Sequence, residues 1–497
     1  MKSTCLHEYF IHRYDSLLIR RLFSLLFMFF TFTYMGIVIY APAVALSHVL
    51  NVEKSWLIII FGLSTTLYTC LGGLKAVVWA DSLQAVLMYA GVFSLVIKGL
   101  SHPRVGGLSR VVSLAVDTGR VGELARFDLS LLQYNSFWIN VFAGTISWLT
   151  SFGVNQLAIQ RYASLPSLKH AQSIIYYTLV PFIILCTLVS SIGFIALAYF
   201  HDCDPMETGQ VVDKDHLVIL FARDVLTPTP GLFGLYVSCI LAATLSTLSS
   251  GMNSMAAATY EDFLKQTLDG RLTDTQATLI NKVLTIAAGV ISTLLAFAAE
   301  PLGGILRACV SVMGAVSGPM VGIFVLALFF PRSGRVSCLV SFVASIAIMS
   351  VICTYSYMED AYHDLALPTN TTEEGCLAAG FTSVNITLRP VPNYDAHYGN
   401  PETSFVARIT TYSYALVGFV LMLAIALPLS YWERADPKKH FLTFWGRHEE
   451  WPVAAHEADH LCPESATGEK RKSLIDFDFH LHPSVKKSAA EGRKLLS

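Results

Sequence analysis

Ten apolar stretches, most of about twenty residues or more, leave this chain one kind of place to fold; they fall at approximately 22–48, 55–75, 82–100, 136–157, 173–199, 231–256, 278–299, 304–330, 336–356 and 407–431. At about 1.5 Å of helical rise per residue, runs of this length cross the ~30 Å hydrocarbon core of a bilayer. No water there can pair a free amide or carbonyl, so each run must satisfy its own backbone, and runs without period-two alternation suit helices and not barrel strands. The expected fold class is all-α, a polytopic membrane protein with about ten transmembrane helices. Composition agrees: 54% of the 497 residues are hydrophobic and 14% charged, where a soluble domain carries roughly a quarter charged residues.

Several function classes are excluded at once. A formal net charge of −2 supplies no basic field to neutralise phosphates, which sets nucleic-acid partners aside. G-x-S-x-G does not occur and no residue is assigned a catalytic role, so the chain is not read as an enzyme. The ten cysteines are scattered without C-x-x-C or Cys/His ligand spacing, so no transition-metal site is expected.

The polar segments set the orientation. Two glycosylation acceptors, Asn370-Thr371-Thr372 and Asn385-Ile386-Thr387, lie in the loop between Tyr357 and Ser404, and their use needs an extracellular location. Counting back through the spans puts both termini in the cytoplasm, together with Lys75, the Arg161 to Lys169 turn, Arg332 and Arg335, as the positive-inside tendency asks. The loop over 101–135, with Arg104, Arg110, Arg120 and Arg126, falls outside against that tendency. Cys203 and Cys376 both lie in loops assigned outside, where a disulfide between them can form. The domain reading is a cytoplasmic segment over 1–21 and a membrane domain over 22–431. That domain has outer loops near 101–135, 200–230 and 357–404, and a polar, largely disordered cytoplasmic tail over 432–497 follows it.

One apolar helix is unusually rich in hydroxyls. Ser238 to Tyr260 reads SCILAATLSTLSSGMNSMAAATY. Two readings stand side by side. Small hydroxylated residues let membrane helices approach closely and can bond back to the i−4 carbonyl. Alternatively, Ala243, Ser246 and Thr247 lie within one turn, so a carbonyl and two hydroxyls can converge on a hard alkali cation.

The sequence resembles the sodium/solute symporter family from about His7 to Trp432. Besides the serine-rich run, the resemblance rests on LYTCLGGLKAVVWADSLQ (Leu67 to Gln84) and on SFGVNQLAIQRYASLPSLKHAQ (Ser151 to Gln172). FTYMGIVIYAPAVALSHVL (Phe32 to Leu50) and VSVMGAVSGPMVGIFVLALFFP (Val310 to Pro331) look closest to the monocarboxylate, multivitamin and iodide subgroup.

The resemblance implies an inverted-repeat core in which the fourth to eighth spans form a complete second repeat. It implies sodium ligands at Ala243, Ser246 and Thr247, with Asp81 on the ion path; a helix N-cap is the plainer reading of Asp81. Tyr34, Asn155 and Gln156 become substrate-cavity candidates, the two amides alternatively serving only to cap a helix end; Arg161 reads as an interfacial anchor, and Gly314, Gly318, Pro319 and Pro42 as points where a helix could break. The implied activity is sodium-coupled symport of a small organic anion across the plasma membrane, with sodium as coupling ion and no other cofactor. The family's first helices have no counterpart ahead of His7, so the alternative expectation is a truncated, non-transporting product that partners a full-length copy.

Overall fold

The computed structural model describes residues 6–124, 126–211, 216–265, 273–299, 305–362, 370–378 and 394–433. Asn385 and the tail from 434 onward lie outside them. A short α1 (Glu8–Tyr14) leads into α2 (Leu17–Leu50) and α3 (Lys54–Leu100). Two short helices follow, α4 (Gly107–Asp117) and α5 (Arg120–Leu124), then α6 (Phe137–Gly153), α7 (Gln156–Ala163), α8 (Leu168–Phe200) and α9 (Leu217–Leu226). The chain continues with α10 (Leu232–Thr259), α11 (Asp274–Ala298), α12 (Ile305–Phe329), α13 (Arg335–Glu359), α14 (Glu373–Ala378) and α15 (Tyr414–Trp432). Among the described residues every regular element is helical, and nine spans are long and apolar enough to cross a membrane, ten if the bent pair α6–α7 is one span.

Local chemistry sets where these helices start. Ser16, Ser136 and Ser167 sit in extended backbone and accept the N–H of Ile19, Ile139 and His170, capping α2, α6 and α8. Thr273 does the same for α11, with Gln276 returning a bond to the Thr273 N–H to complete a capping box. Asn51 and Asp360, in the left-handed region at φ 53° and φ 40°, end α2 and α13.

Two interruptions matter for function, and neither is at a proline. Gly73, at φ 58° and ψ −160°, splits α3 into Lys54–Gly73 and Lys75–Leu100, a backbone state that a Cβ would strain. Between α6 and α7 the axis bends by 47°. Here Asn155 adopts extended backbone and its Oδ1 accepts the Leu157 N–H at 2.9 Å, starting α7 anew. The breaks expected at Pro42 and around Gly314–Pro319 do not occur, because α2 and α12 run continuously through them. Gly318 instead serves packing: a Cβ there would come within 2.4 Å of the Ala415 carbonyl, so the α12 and α15 backbones touch.

The long helices pack as a bundle in which α10 lies along α3, α11 bridges α2 and α3, and α12 packs on α15. Each end of the bundle carries its own polar knot. At one end a Cys203–Cys376 disulfide ties the segment after α8 to α14, and the Thr372 N–H donates to the Asp202 carbonyl at 3.2 Å. Arg110 pairs with Asp202 at 3.5 Å and Arg104 bonds the Tyr199 hydroxyl at 3.3 Å, so the arginine-rich loop shares this end with exposed Asn370.

At the other end α1 is buried against the bundle. The buried Asp262 carboxylate accepts from Arg20 Nε at 2.6 Å and lies 2.6 Å from His7 Nδ1. Arg13 donates to the carbonyls of Ala327, Phe330 and Pro331 at the C-terminal end of α12, where a cation complements the helix dipole. Glu433 accepts the N–H groups of Val336 at 2.8 Å and Ser337 at 3.0 Å, capping α13 from a distant part of the chain. Burial pushes its carboxyl up, but these bonds outweigh it and hold it below the ordinary range.

Because its folded pKa is depressed, Glu433 stabilises the protein above the ordinary carboxylate value of about 4.3, and that stability is lost as pH falls through the lower folded value. Glu433→Gln is therefore expected to lower the melting temperature at pH 7, by roughly 1 kcal/mol of stability, and to flatten its acid dependence. Thermal unfolding in detergent across pH 4–7 checks this. Asn155→Ala should likewise cost about 1 kcal/mol as a lost cap, with Asn155→Ser restoring most of it.

Candidate functional site

The hydroxyls of α10 divide into two sets. Ser238, Thr244, Thr247 and Ser249 bond back to carbonyls one turn earlier, the packing behaviour of a membrane helix. Ser246, Ser250 and Ser254 do not. Spaced at i, i+4 and i+8, they share one face and reach other elements: Ser246 and Ser250 to Asp81, and Ser254 to Gln160.

Asp81 stands in the second half of α3, beyond the Gly73 break, so the N-cap reading does not hold. Its Oδ1 accepts the Ser246 hydroxyl at 2.7 Å. Oδ2 takes Arg161 Nη2 at 2.6 Å and the Ser250 hydroxyl at 3.4 Å, and Arg161 also donates to Ser250 Oγ at 2.5 Å. A carboxylate in an apolar bundle requires such partners. Arg161 was expected only as an interfacial anchor; the fold pairs it with Asp81 instead, from α7, 80 residues away in sequence.

The oxygens singled out for sodium lie beside this cluster. Thr247 Oγ1 is 3.0 Å from the Ala243 carbonyl and donates to it. Ser246 thus directs its hydroxyl proton to Asp81, and Thr247 directs its own to the Ala243 carbonyl, itself one of the three oxygens, so the two hydroxyls keep lone pairs while that carbonyl already accepts a bond. Tyr34, half-buried on α2, brings its phenol near the Thr247 hydroxyl. Tyr68, from the paired-glycine block, donates to the Leu245 carbonyl at 2.9 Å and ties the first half of α3 to the same turn of α10.

Asn155 and Gln156 lie at the bend between α6 and α7. Asn155 is spent on its cap, and Gln156 Oε1 accepts the Leu6 N–H at 2.9 Å just ahead of α1. Both amides therefore hold the broken span in place. The serine stripe was legible as a four-residue spacing, whereas the Arg161 partnership had no signal in the sequence.

Comparison with known proteins identifies the family. The mouse sodium-coupled monocarboxylate transporter 2 is 34% identical over 391 residues, covering 78% of this chain and 62% of its own length. The human sodium-coupled monocarboxylate transporter 1 is 34% identical over 75% of this chain and 60% of its own, and a putative sodium-dependent multivitamin transporter of Drosophila melanogaster is 35% identical over 67% and 56%. The chain thus spans about three fifths of the length of these relatives. A Na+-coupled sialic acid symporter, solved in a substrate-bound outward-open state, shares the fold with a TM-score of 0.66 at 20% identity, over 87% of this chain and 78% of that one. Residues 2–344 match the Sodium:solute symporter family, and the chain belongs to that family of transporters, which are not enzymes.

Proposed function

We propose that this chain performs sodium-coupled symport of a small organic anion across the plasma membrane, with both termini cytoplasmic. The observation that carries this reading is on α10: the Ala243 carbonyl and the Ser246 and Thr247 hydroxyls lie within one turn, with Ser246 bonded to the Asp81 carboxylate and Thr247 to the Ala243 carbonyl. Neutral oxygens suit a hard monovalent cation, and Asp81 supplies the negative field that draws it along the ion path.

Tyr34, near Thr247, is one cavity candidate, and Asn155 and Gln156 at the bend of the broken span are the others. Interrupted helices at the centre of inverted repeats are where solutes bind and where alternating access pivots. The named relatives support a monocarboxylate or a carboxylate-bearing vitamin as the solute, with iodide as a further candidate. A second reading rests on the count of oxygens. Three do not close the shell of a dehydrated cation, and a chain that cannot complete it would act only as a partner of a full-length copy.

Expressed in oocytes, the chain should give currents that require both sodium and one of lactate, pantothenate, biotin or iodide; currents that persist in choline would overturn the symport reading. Silence at confirmed surface expression would favour the partner reading. Thr247→Ala should raise the half-saturating sodium concentration about tenfold, the equivalent of ~1.4 kcal/mol. For orientation, wild type should show a glycosidase-sensitive mobility shift on gels that the Asn370→Gln/Asn385→Gln double variant loses, while a wild type without that shift would overturn the outside placement of the loop.

A further inference from the structure

Arg161 occupies a place that has the chemistry of a cation site. Its Nη2 lies 2.6 Å from Asp81 Oδ2 and 2.5 Å from Ser250 Oγ, while Ser250 also faces Oδ2 at 3.4 Å and Ser246 holds Oδ1 at 2.7 Å. A guanidinium N–H and a metal cation compete for the same lone pairs on a carboxylate and a hydroxyl. We propose that Arg161 is a tethered competitor for the coupling ion: it neutralises Asp81 when sodium is absent and is displaced when sodium arrives. This inference rests on the reading of Asp81 as part of the ion path.

Three features support it. The competitor can leave, because its side chain is 45% exposed while that of Asp81 is 16% exposed. It is mounted on α7, separated from α6 by the 47° bend and built of only eight residues. Besides the Arg161 contacts, α7 is tied to α10 through Gln160 and Ser254 at 3.2 Å, so displacement of the guanidinium removes one of two polar ties between them. The ion would then loosen the inner half of the broken span as it binds. Arg161 is in this sense a positioning residue that couples occupancy to movement.

The test is saturable binding of radioactive sodium to the purified full chain in lipid nanodiscs, for wild type, Arg161→Gln, Arg161→Lys, Asp81→Asn and the Asp81→Asn/Arg161→Gln double variant. Arg161→Gln is expected to lower the half-saturating sodium concentration about fivefold, the scale of a half-exposed ion pair. Arg161→Lys should stay near wild type because the charge is kept. In the Asp81→Asn background the Gln substitution should change nothing.

Equal or weaker sodium binding by Arg161→Gln would overturn the inference and leave Arg161 as a strut. Sodium binding that Asp81→Asn leaves at the wild-type value, or that is absent from every variant, would overturn the ion-path reading itself. A second measurement needs no variant. Amide hydrogen exchange over residues 156–163 of the wild-type chain should accelerate in sodium relative to potassium, and identical exchange in the two salts counts against displacement.

Discussion

Hydrocarbon offers no partner to a backbone amide or a carboxylate, and at several places in this protein where such a group is left over a protein group stands in for water. Asn155 caps α7 where α6 ends, and Gln156 beside it binds the Leu6 N–H. The Ser317 carbonyl, just before Pro319, accepts from Thr150 on α6 at 3.2 Å. Arg13 collects the carbonyls at the C-terminal end of α12. The breaks are therefore confined to places where neighbouring elements can supply such groups.

Asp81 is the sharpest case of the same constraint. Its charge has to be matched inside the bundle, and the partners come from α10 and α7, two elements that otherwise meet through little polar chemistry. A matching group that is itself a cation has a consequence for transport. An arginine on a carboxylate can be exchanged for a metal ion without leaving a charge uncompensated, whereas a purely apolar contact has no such alternative state.

How much of this was legible beforehand differs from element to element. Every apolar run is a helix, and the hydroxyl-rich run holds the oxygens that were singled out. Arg161 was misread because an arginine at the end of an apolar run usually reaches for headgroups, and nothing nearby in the sequence signals a carboxylate 80 residues earlier. The glycines and proline around 314–319 were read as a break because they weaken a lone helix. In the bundle α12 stays continuous, and Gly318 serves instead for close approach to α15.

The sequence by itself determined the all-helical class, the approximate number and place of the apolar spans and the hydroxyl-rich run on α10. All of these follow from interactions within a few residues, where length, spacing and side-chain chemistry suffice. Only the tertiary structure decided that Asp81, Ser246, Ser250 and Arg161 meet and that Glu433 caps α13, and it closed the Cys203–Cys376 pair that the loop assignment had offered. The Asp81 cluster joins helix segments that lie beyond the Gly73 and Asn155 breaks, across long stretches of chain, and no local pattern encodes the direction in which a broken helix resumes.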